Sequence, residues 1–215
     1  IGLSGTIERK DGKHVVFRDY FGHNVIKPPK ENYMVPTIHV VPSGIRFMDG
    51  TRIPWANRVT ALTQNEEYMH TVSMLAAAYA ARGHKVLVVS DRVQFLKNCA
   101  QLTGDDTICV TGEVPHEERE SLTNQILHGT KNVLFGTQAI FSEGISIDNL
   151  SCLILGTPIN NEPLLTQLIG RVIRKQEKKL SPVVVDIHLL GNTAKRQASN
   201  RVGYYMKQGW EMKYI

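Results

Sequence analysis

The sequence predicts an α/β fold in which helices cover both faces of a doubly wound parallel sheet. From residue 65 onwards, short and almost entirely apolar runs alternate with longer stretches in which apolar residues recur at a helical period. Strands that read as continuous apolar runs are typical of parallel sheets buried on both faces. A chain of 215 residues with 42% hydrophobic residues is also long and apolar enough to bury a core.

The predicted elements follow one another in a regular order. The strands are KVLVVS (85–90), DTICVTG (106–112), NVLFGT (132–137), CLILGT (152–157) and PVVVDI (182–187). The helices are EEYMHTVSMLAAAYAA, which Gly83 ends, and residues 91–103, 115–128, 163–175 and 194–208. In the last helix, we expect Val202, Tyr205 and Met206 to pack on the sheet and Lys195, Arg196 and Arg201 to face outward.

Residues 1–60 are predicted to form an extended connector with a few short edge strands. Five prolines fall in this part: Pro28, Pro29, Pro36, Pro42 and Pro54. Within sheets, proline is confined to edge strands, strand starts and bulges. The runs HVVFRDYF and TIHVV are the β-like parts of the connector. The predicted organisation is therefore residues 1–60 followed by an α/β domain over 61–215.

The charge of the chain is distributed unevenly. Residues 171–215 hold ten Lys or Arg against three Asp or Glu, a balance of +7 within a net charge of +5, which leaves −2 for residues 1–170. A basic patch is the electrostatic footprint of phosphate or nucleic-acid binding, although charged runs also solvate exposed faces. Both interpretations stay open at this point.

Several classes of protein are disfavoured by the composition. Neither a membrane-spanning apolar run nor the pattern of a signal peptide is present, so we expect a soluble intracellular protein. The three cysteines are far apart in apolar surroundings, which favours buried thiols over disulfides or a zinc site. The histidines show no metal-ligand spacing, and we predict no metal site.

Small polar residues follow four of the predicted strands. They are Ser90, Asp91 and Arg92; Thr111, Gly112 and Glu113; Gly136, Thr137 and Gln138; and Gly156, Thr157 and Pro158. Ligands of open α/β sheets bind beyond the carboxyl ends of the strands. Backbone N–H groups and hydroxyls there can hold phosphates, although ordinary turns favour the same residues. The usual phosphate loop G-x-x-x-x-G-K-[ST] does not occur, so we expect weak binding of ATP by this chain alone.

The stretch LLTQLIGRVIRKQEKK (164–179) places two arginines among apolar residues. Arg171 and Arg174 are three apart, so on a continuous helix their guanidinium groups would share a face. The structural alternative is a helix end whose cations complement the dipole. That alternative suits the lysines that follow better than it suits Arg171.

Four motifs, taken in order, resemble the second half of a superfamily 2 helicase. They are GLSGTIERKDG, VTGEVPHEER, FGTQAIFSEGISIDNL and QLIGRVIR, and their detail is most similar to the phage UvsW-type and XPB-like branch. Gly5 and Ile7 depart from the alanine and proline of the branch's pattern. The resemblance implies a second RecA-like lobe over 61–215, with the end of the first lobe and the connector over 1–60.

The resemblance also implies roles for individual residues. Arg171 and Arg174 would be arginine fingers that reach an ATP held mainly, with Mg²⁺, by an upstream lobe. The residues expected near the nucleotide are Gly144, Ser146, Gln167 and Gly170. The residues expected along one nucleic-acid strand are Ser90, Arg92, Thr111, Gly112, Thr137, Gln138 and Ser142. Many relatives have Gly-Ile-Asp where this chain has Gly144, Ile145 and Ser146, with Asp148 two residues later.

The expected function is that of the C-terminal half of an ATP-dependent DNA helicase or translocase. By the same resemblance it would act on branched or duplex DNA in recombination or repair, in the cytoplasm or, if phage-encoded, in the host-cell cytoplasm. RNA remains an open substrate, and the chain alone is expected to be inactive. Two alternatives are a non-catalytic nucleic-acid-binding module and the translocase lobe of a restriction-type enzyme.

Overall fold

The computed structural model describes residues 14–22, 24, 30–50, 52–138, 140 and 147–215. Within these residues seven strands form one sheet in the order β3-β4-β2-β5-β6-β1-β7, and every pair of neighbouring strands is parallel. The strands are β1 (Thr37–Arg46), β2 (Val86–Ser90), β3 (Thr107–Val110), β4 (Val133–Thr137), β5 (Cys152–Leu155), β6 (Val183–Leu190) and β7 (Met212–Tyr214). The predicted parallel α/β sheet is confirmed.

The helices connect these strands, and the five that were predicted are present. They are α1 (His14–Phe21), α2 (Trp55–Thr63), α3 (Glu66–Ala81), α4 (Val93–Thr103), α5 (His116–Leu127), α6 (Glu162–Val172) and α7 (Asn192–Gln208). A short 3₁₀ turn covers Lys30–Asn32. Among the described residues, the helices are too short or too polar to cross a lipid bilayer.

Two hydrophobic layers lie on opposite faces of the sheet. Successive residues of β2 alternate between them, because side chains of a strand point to opposite faces. Val86 and Val88 pack in the layer formed with α2, α3 and α4. Leu87 and Val89 pack in the layer formed with α5, α6 and α7. This burial on both faces explains why the central strands read as continuous apolar runs.

Side chains cap three of the helices at their first turns. The Asn65 side chain accepts a hydrogen bond from the N–H of Tyr68 at the start of α3, and Asn161 accepts one from Leu164 at the start of α6. The Asp49 carboxylate, which follows β1, accepts hydrogen bonds from the N–H groups of Asn192 and Thr193 in α7. These two bonds lower the pKa of Asp49 and tie the end of β1 to the start of α7.

The prediction for residues 1–60 missed two helices. HVVFRDYF is helix α1 rather than a strand. Its apolar pair Val16 and Phe17 recurs four residues later as Tyr20 and Phe21, which is a helical spacing. The predicted connector also contains most of α2, whose buried Val59, Leu62 and Thr63 follow the same period.

Strand β1, which contains TIHVV, is not an edge strand. It pairs with β6 over residues 37–42 and with β7 over residues 38–40. Pro42 lies just beyond the part that β7 covers, so its lack of an N–H group breaks no bond to β7. Strand β7 itself was not predicted, because three residues carry too little pattern. The proposed division at residue 60 stays a prediction.

The expectation for Arg201 was also wrong. Arg201 lies inside the protein, with 6% of its surface exposed, and its guanidinium forms a bidentate pair with the buried Asp186 of β6. Met206 is instead exposed, whereas Tyr205 is buried as predicted. Lys195 and Arg196 are exposed as expected.

Candidate functional site

The parallel sheet separates the predicted site residues into two groups. All strands end at the same edge, which we call the carboxyl edge, and begin at the opposite amino edge. Helix α6 starts after β5 and ends before β6, so it runs from the carboxyl edge back to the amino edge. The strand-end residues therefore lie at the carboxyl edge, whereas Arg171 and Arg174 lie at the amino edge. The two groups are on opposite sides of the lobe.

At the carboxyl edge, the hydroxyl groups of the predicted residues help to build their own turns. Ser90 is fully buried, and its Oγ accepts a hydrogen bond of 3.1 Å from the N–H of Arg92. Thr111 is 1% exposed, and its Oγ1 accepts one of 3.3 Å from the N–H of Glu113. Thr137 is buried as well. These contacts match the alternative in which small polar residues shape turns.

Two arginines order the loops at this edge. The Nη2 group of Arg92 donates to the carbonyl oxygen of Ala56, and its Nη1 lies 3.4 Å from the Asp91 carboxylate. Arg119 of α5 donates to the carbonyl oxygens of Val114 and Gly112, at 2.7 and 3.2 Å. Arg119 thus holds the loop after β3 in place.

A cleft of about 330 Å³ opens at the carboxyl edge, beside the ends of β2, β4 and β5. The polar and aromatic residues that line it are Trp55, Asp91, Gln138, Thr157, Asn160, Asn161 and Gln197. Of the described residues that were expected along a nucleic-acid strand, Gln138 is the one that lines the cleft. The sequence did not predict this cleft, because its walls come from segments far apart along the chain.

At the amino edge, α6 has one buried face and one accessible face. Leu165, Leu168, Ile169 and Val172 pack in the core. The expected nucleotide-binding residues Gln167 and Gly170 and the arginine Arg171 lie on the other face, at positions i, i+3 and i+4. A Cβ atom added at Gly170 would meet no atom within 4 Å, so packing inside this lobe does not require a glycine there.

The predicted shared helical face of Arg171 and Arg174 was wrong. Helix α6 ends at Val172, and Arg174 forms an isolated antiparallel bridge with Tyr33. The guanidinium groups are nevertheless close enough to interact: burial lowers the pKa of Arg171, and the charge of Arg174 lowers it further. The two arginines are brought together by the chain after the helix rather than by the helix itself.

Asp148 and Lys179 surround Arg174. The Nη1 group of Arg174 lies 3.0 Å from the Asp148 carboxylate. The Nζ group of Lys179 donates to the carbonyl oxygens of Asp148 and Arg174, at 2.9 and 2.7 Å. Burial lowers the pKa of Lys179 to about 8, with the Asp148 carboxylate opposing the shift and Arg174 adding to it. This cluster fixes the segment that carries Arg174.

A short backbone ladder joins the arginine segment to the chain that enters β1. The N–H of Met34 donates to the carbonyl oxygen of Ile173 at 2.7 Å, and the N–H of Lys175 donates to that of Asn32 at 3.0 Å. Residues 32–34 and 173–175 therefore pair on either side of Tyr33 and Arg174. We name these paired segments the connector ladder. Backbone pairing of this kind left no signal in the sequence.

Some predicted positions lie outside the described residues. They are Ser142, Gly144 and Ser146, together with the motif GLSGTIERKDG. In the described part of the chain, His, Cys, Asp and Glu side chains form no group of three that could hold a metal ion. Cys99 and Cys152 are buried and Cys109 is half-buried, all three as free thiols.

Comparison with known proteins identifies the family. Residues 67–176 match the helicase conserved C-terminal domain family, which covers half of the chain. The chain is 44% identical over 214 residues to the Escherichia phage T5 protein named "Probable helicase D10" and 24% identical over 159 residues to the ATP-dependent DNA helicase uvsW of Enterobacteria phage T4. These matches cover 98% and 70% of this chain. The chain spans only 48% and 31% of the length of the two relatives.

Solved structures share the fold. The crystal structure of T4 UvsW superposes with a TM-score of 0.66 at 20% identity, over 83% of this chain and 41% of that one. S. cerevisiae Dbp5, in a structure bound to RNA and ADP BeF3, superposes with a TM-score of 0.60 at 13% identity, over 94% of this chain and 48% of that one. The chain therefore belongs to the helicase conserved C-terminal domain family, and its fold is similar to that of the RecA-like lobes in these helicase structures.

Proposed function

We propose that this lobe is the C-terminal half of the motor of an ATP-dependent DNA helicase or translocase. It supplies Arg171 and Arg174 to an ATP bound mainly by an upstream lobe, and its carboxyl edge holds the backbone of one strand. The observation that carries this proposal is the accessible face of α6, where Gln167, Gly170 and Arg171 lie beside the positioned Arg174.

The arrangement of the arginines suits phosphoryl transfer. Negative charge builds up on the transferred phosphoryl group, and a permanently charged, planar guanidinium stabilises it through two parallel hydrogen bonds. Arg171 is half-buried, which strengthens its interaction with a phosphate because less water screens it. Arg174 is held by Asp148, so little ordering is needed when the nucleotide arrives.

The bare surface at Gly170 supports a close approach to this face. Because an added Cβ would meet nothing inside the lobe, the glycine leaves room for an external group next to Arg171. We assign that group to the nucleotide and to the upstream lobe that carries it. The described residues offer no acidic cluster for a metal, so we assign Mg²⁺ to that upstream lobe as well.

DNA is the substrate we propose, because the T4 relative is named a DNA helicase and the sequence resembles the same branch. Branched intermediates of recombination or repair are the substrates this branch implies. At the carboxyl edge, Arg92 and Gln138 and the N–H groups of the turns would contact phosphates. Such contacts fix the position of the strand without reading its sequence, which suits a motor that moves along any sequence.

The test is the DNA-stimulated ATPase activity of the full-length protein and of its Arg171→Ala and Arg174→Ala variants. We expect kcat to fall by about 10³-fold or more in each, as for other arginine fingers. Lys175→Ala is the matched control, because Lys175 is an exposed cation one residue beyond Arg174 and its ladder bond uses the backbone. Its kcat should stay at the wild-type value.

Two results would contradict the proposal. If both arginine variants hydrolyse ATP at the wild-type rate while folded, the arginines have a structural or DNA-binding role. If the wild-type protein binds DNA but hydrolyses no ATP under any condition, the lobe belongs to a non-catalytic binding module. Circular dichroism on each variant separates loss of catalysis from loss of fold.

A further inference from the structure

The cleft at the carboxyl edge has a chemistry that the strand-binding proposal does not use. Its walls combine an aromatic ring, Trp55, with carboxamide side chains at Asn160, Asn161 and Gln197. A volume of about 330 Å³ is at the small end of the range for ligand pockets. The cleft is thus sized for one small, planar and polar group.

The charge of the cleft argues against a phosphate. Among the lining residues that the structure describes, Asp91 is the one ionisable side chain, and it is acidic. An anion entering the cleft would meet this carboxylate, and the described part of the wall offers it neither a lysine nor an arginine. Two cations nearby are outside the lining: Arg58, which belongs to α2, and Arg92, which contacts the carbonyl oxygen of Ala56 in α2. A neutral ligand therefore fits the cleft better than a phosphate does.

The hydrogen-bonding groups of the cleft are incompletely used by the protein. Gln197 is 6% exposed, and its side-chain carbonyl oxygen is buried without a hydrogen-bond partner among the described residues. A buried acceptor without a partner is costly, so a ligand that donates an N–H group there would be favoured. Asn160 and Asn161 use their carbonyl oxygens to accept hydrogen bonds from Asn200 and Leu164. Their amide N–H groups are the donors that they can offer a ligand.

Trp55 is fixed in position as one wall of the cleft. Its ring packs 5.2 Å from that of Phe47 and lies under the guanidinium of Arg58 at 5.4 Å, yet 37% of the residue stays exposed. A held, partly exposed tryptophan provides a stacking surface at little entropic cost. Stacking on aromatic side chains is how proteins hold unpaired bases without strong sequence preference.

We propose that this cleft binds one unpaired nucleobase of the strand held along the carboxyl edge. A base is planar and neutral, and it carries both donors and acceptors on its edge, as the carboxamides require. Arg92, which flanks the cleft, would then face the adjoining phosphate. The inference rests on the proposed binding of a nucleic-acid strand. It adds a contact with a base to the proposed contacts with the sugar-phosphate backbone of that strand.

The experiment compares the binding of two single-stranded oligodeoxynucleotides to the full-length protein by fluorescence anisotropy. One has all its bases, and the other has the same length and backbone with abasic sites in its central part. We expect the wild-type protein to bind the complete strand about tenfold more tightly, the effect expected of a stacked base. The readout is the ratio of the two affinities, so a general loss of affinity does not alter it.

Two variants assign the preference to the cleft. Trp55→Leu removes the stacking surface, and Gln197→Met removes the buried acceptor while keeping the volume of the side chain. Each should reduce the ratio towards one. The matched control is Tyr214→Leu in β7, an aromatic residue that is 69% exposed and lies away from the cleft, and its ratio should equal that of wild type.

The outcomes distinguish failure of this inference from failure of the proposed function. Equal wild-type affinity for both strands overturns the base site but leaves strand binding intact. A preference that survives both cleft substitutions also overturns it, because the base contact then lies elsewhere. Absence of binding to either strand contradicts the proposed function itself.

Discussion

Arg201 was expected on the surface of α7, and its actual position is explained by one partner. The buried Asp186 carboxylate accepts hydrogen bonds from Nε and Nη2 of Arg201, and also from the hydroxyl group of Tyr205 at 3.1 Å. Burial alone would raise the pKa of Asp186, but the charge of Arg201 and the hydrogen bonds of His188 and Arg201 outweigh it and hold the pKa below its usual value. The helical period predicts which face a residue occupies, but it contains no information about a carboxylate on another element.

Replacing Asp186 with asparagine should destabilise the protein strongly. The Asp186→Asn variant leaves Arg201 as a buried charge without a counter-ion, and we expect the free energy of unfolding to fall by about 3–5 kcal/mol. Urea denaturation of the two proteins measures this difference. The control is the double variant Asp186→Leu/Arg201→Leu, which removes both charges and should cost less than the single change. A double variant that is less stable than Asp186→Asn would contradict this account.

Lys179 should make stability depend on pH in the alkaline range. Its pKa is lowered to about 8 in the folded chain, whereas an unfolded lysine titrates near about 10.4. Between these two values the unfolded state binds more protons than the folded state, so the free energy of unfolding rises with pH. In Lys179→Met this contribution is absent, so the free energy of unfolding should rise less steeply with pH between about pH 8 and pH 10 than it does in wild type.

The slope is measured by chemical denaturation at a series of pH values. Lys175→Met is the matched control, because Lys175 is exposed and lies four residues earlier in the same segment. It should keep the wild-type slope. If Lys179→Met also keeps that slope, the amine of Lys179 is hydrated in the folded protein and its pKa is ordinary.

Secondary-structure elements differed in how well they could be predicted. Strands β2 to β6 and helices α3 to α7 were predicted because the apolar run of a buried strand and the period of a helix are each contained within one segment. Helix ends can also be local: Gly83 follows α3 with a φ of +89°, a conformation that glycine adopts readily. The N-terminal part was predicted less well. Prolines suggested extended chain there, but α2 begins directly after Pro54, a position that proline tolerates. The prediction for this part followed its proline content, and it therefore missed a short helix that tertiary packing stabilises.

The connector ladder should control the position of Arg174. Met34→Pro removes the N–H group that donates a hydrogen bond to the carbonyl oxygen of Ile173. For the loss of one backbone hydrogen bond we expect the free energy of unfolding to fall by about 1 kcal/mol. We also expect kcat for ATP hydrolysis to fall by about tenfold, because misplacing a catalytic group by a small distance has large effects. Steady-state ATPase assays and thermal melts of the full-length protein measure both.

Val35→Pro is the matched control for this experiment. Val35 is the next residue, it is exposed, and its N–H is not part of the ladder. We expect kcat close to wild type for Val35→Pro. Equal activities of the two proline variants would mean that the ladder does not position Arg174.

Across the lobe, the basic charge that looked like one C-terminal patch is divided. Arg171, Arg174, Lys175 and Lys179 lie at the amino edge, where the nucleotide is proposed to bind. Lys195 and Arg196 lie in the first turns of α7, near the carboxyl edge. Because β6 (Val183–Leu190) lies between these groups and crosses the sheet from one edge to the other, one run of sequence serves two opposite surfaces.

Salt dependence should reveal this division. Binding to single-stranded DNA weakens with salt in proportion to the number of phosphates that cations neutralise, by about 0.7 in the log–log slope for each contact. Arg92→Ala, at the carboxyl edge, should therefore reduce the slope by about 0.7. Lys175→Ala, at the amino edge, should leave it unchanged. Titrations of single-stranded DNA at several salt concentrations measure both slopes, and an equal decrease for both variants would show that strand binding involves the two edges alike.

The fold class, the order of the central elements and the family could all be predicted from the sequence, because burial on both faces of a sheet and the motif QLIGRVIR are local patterns. The partners of Arg201 and Arg174, the connector ladder and the cleft could not. Each depends on contacts between segments that are far apart along the chain, such as the contact of Asp148 with Arg174 or those that bring Trp55 and Gln197 to one cleft. Such contacts exist only once the hydrophobic layers have packed the elements together, and no local pattern specifies them.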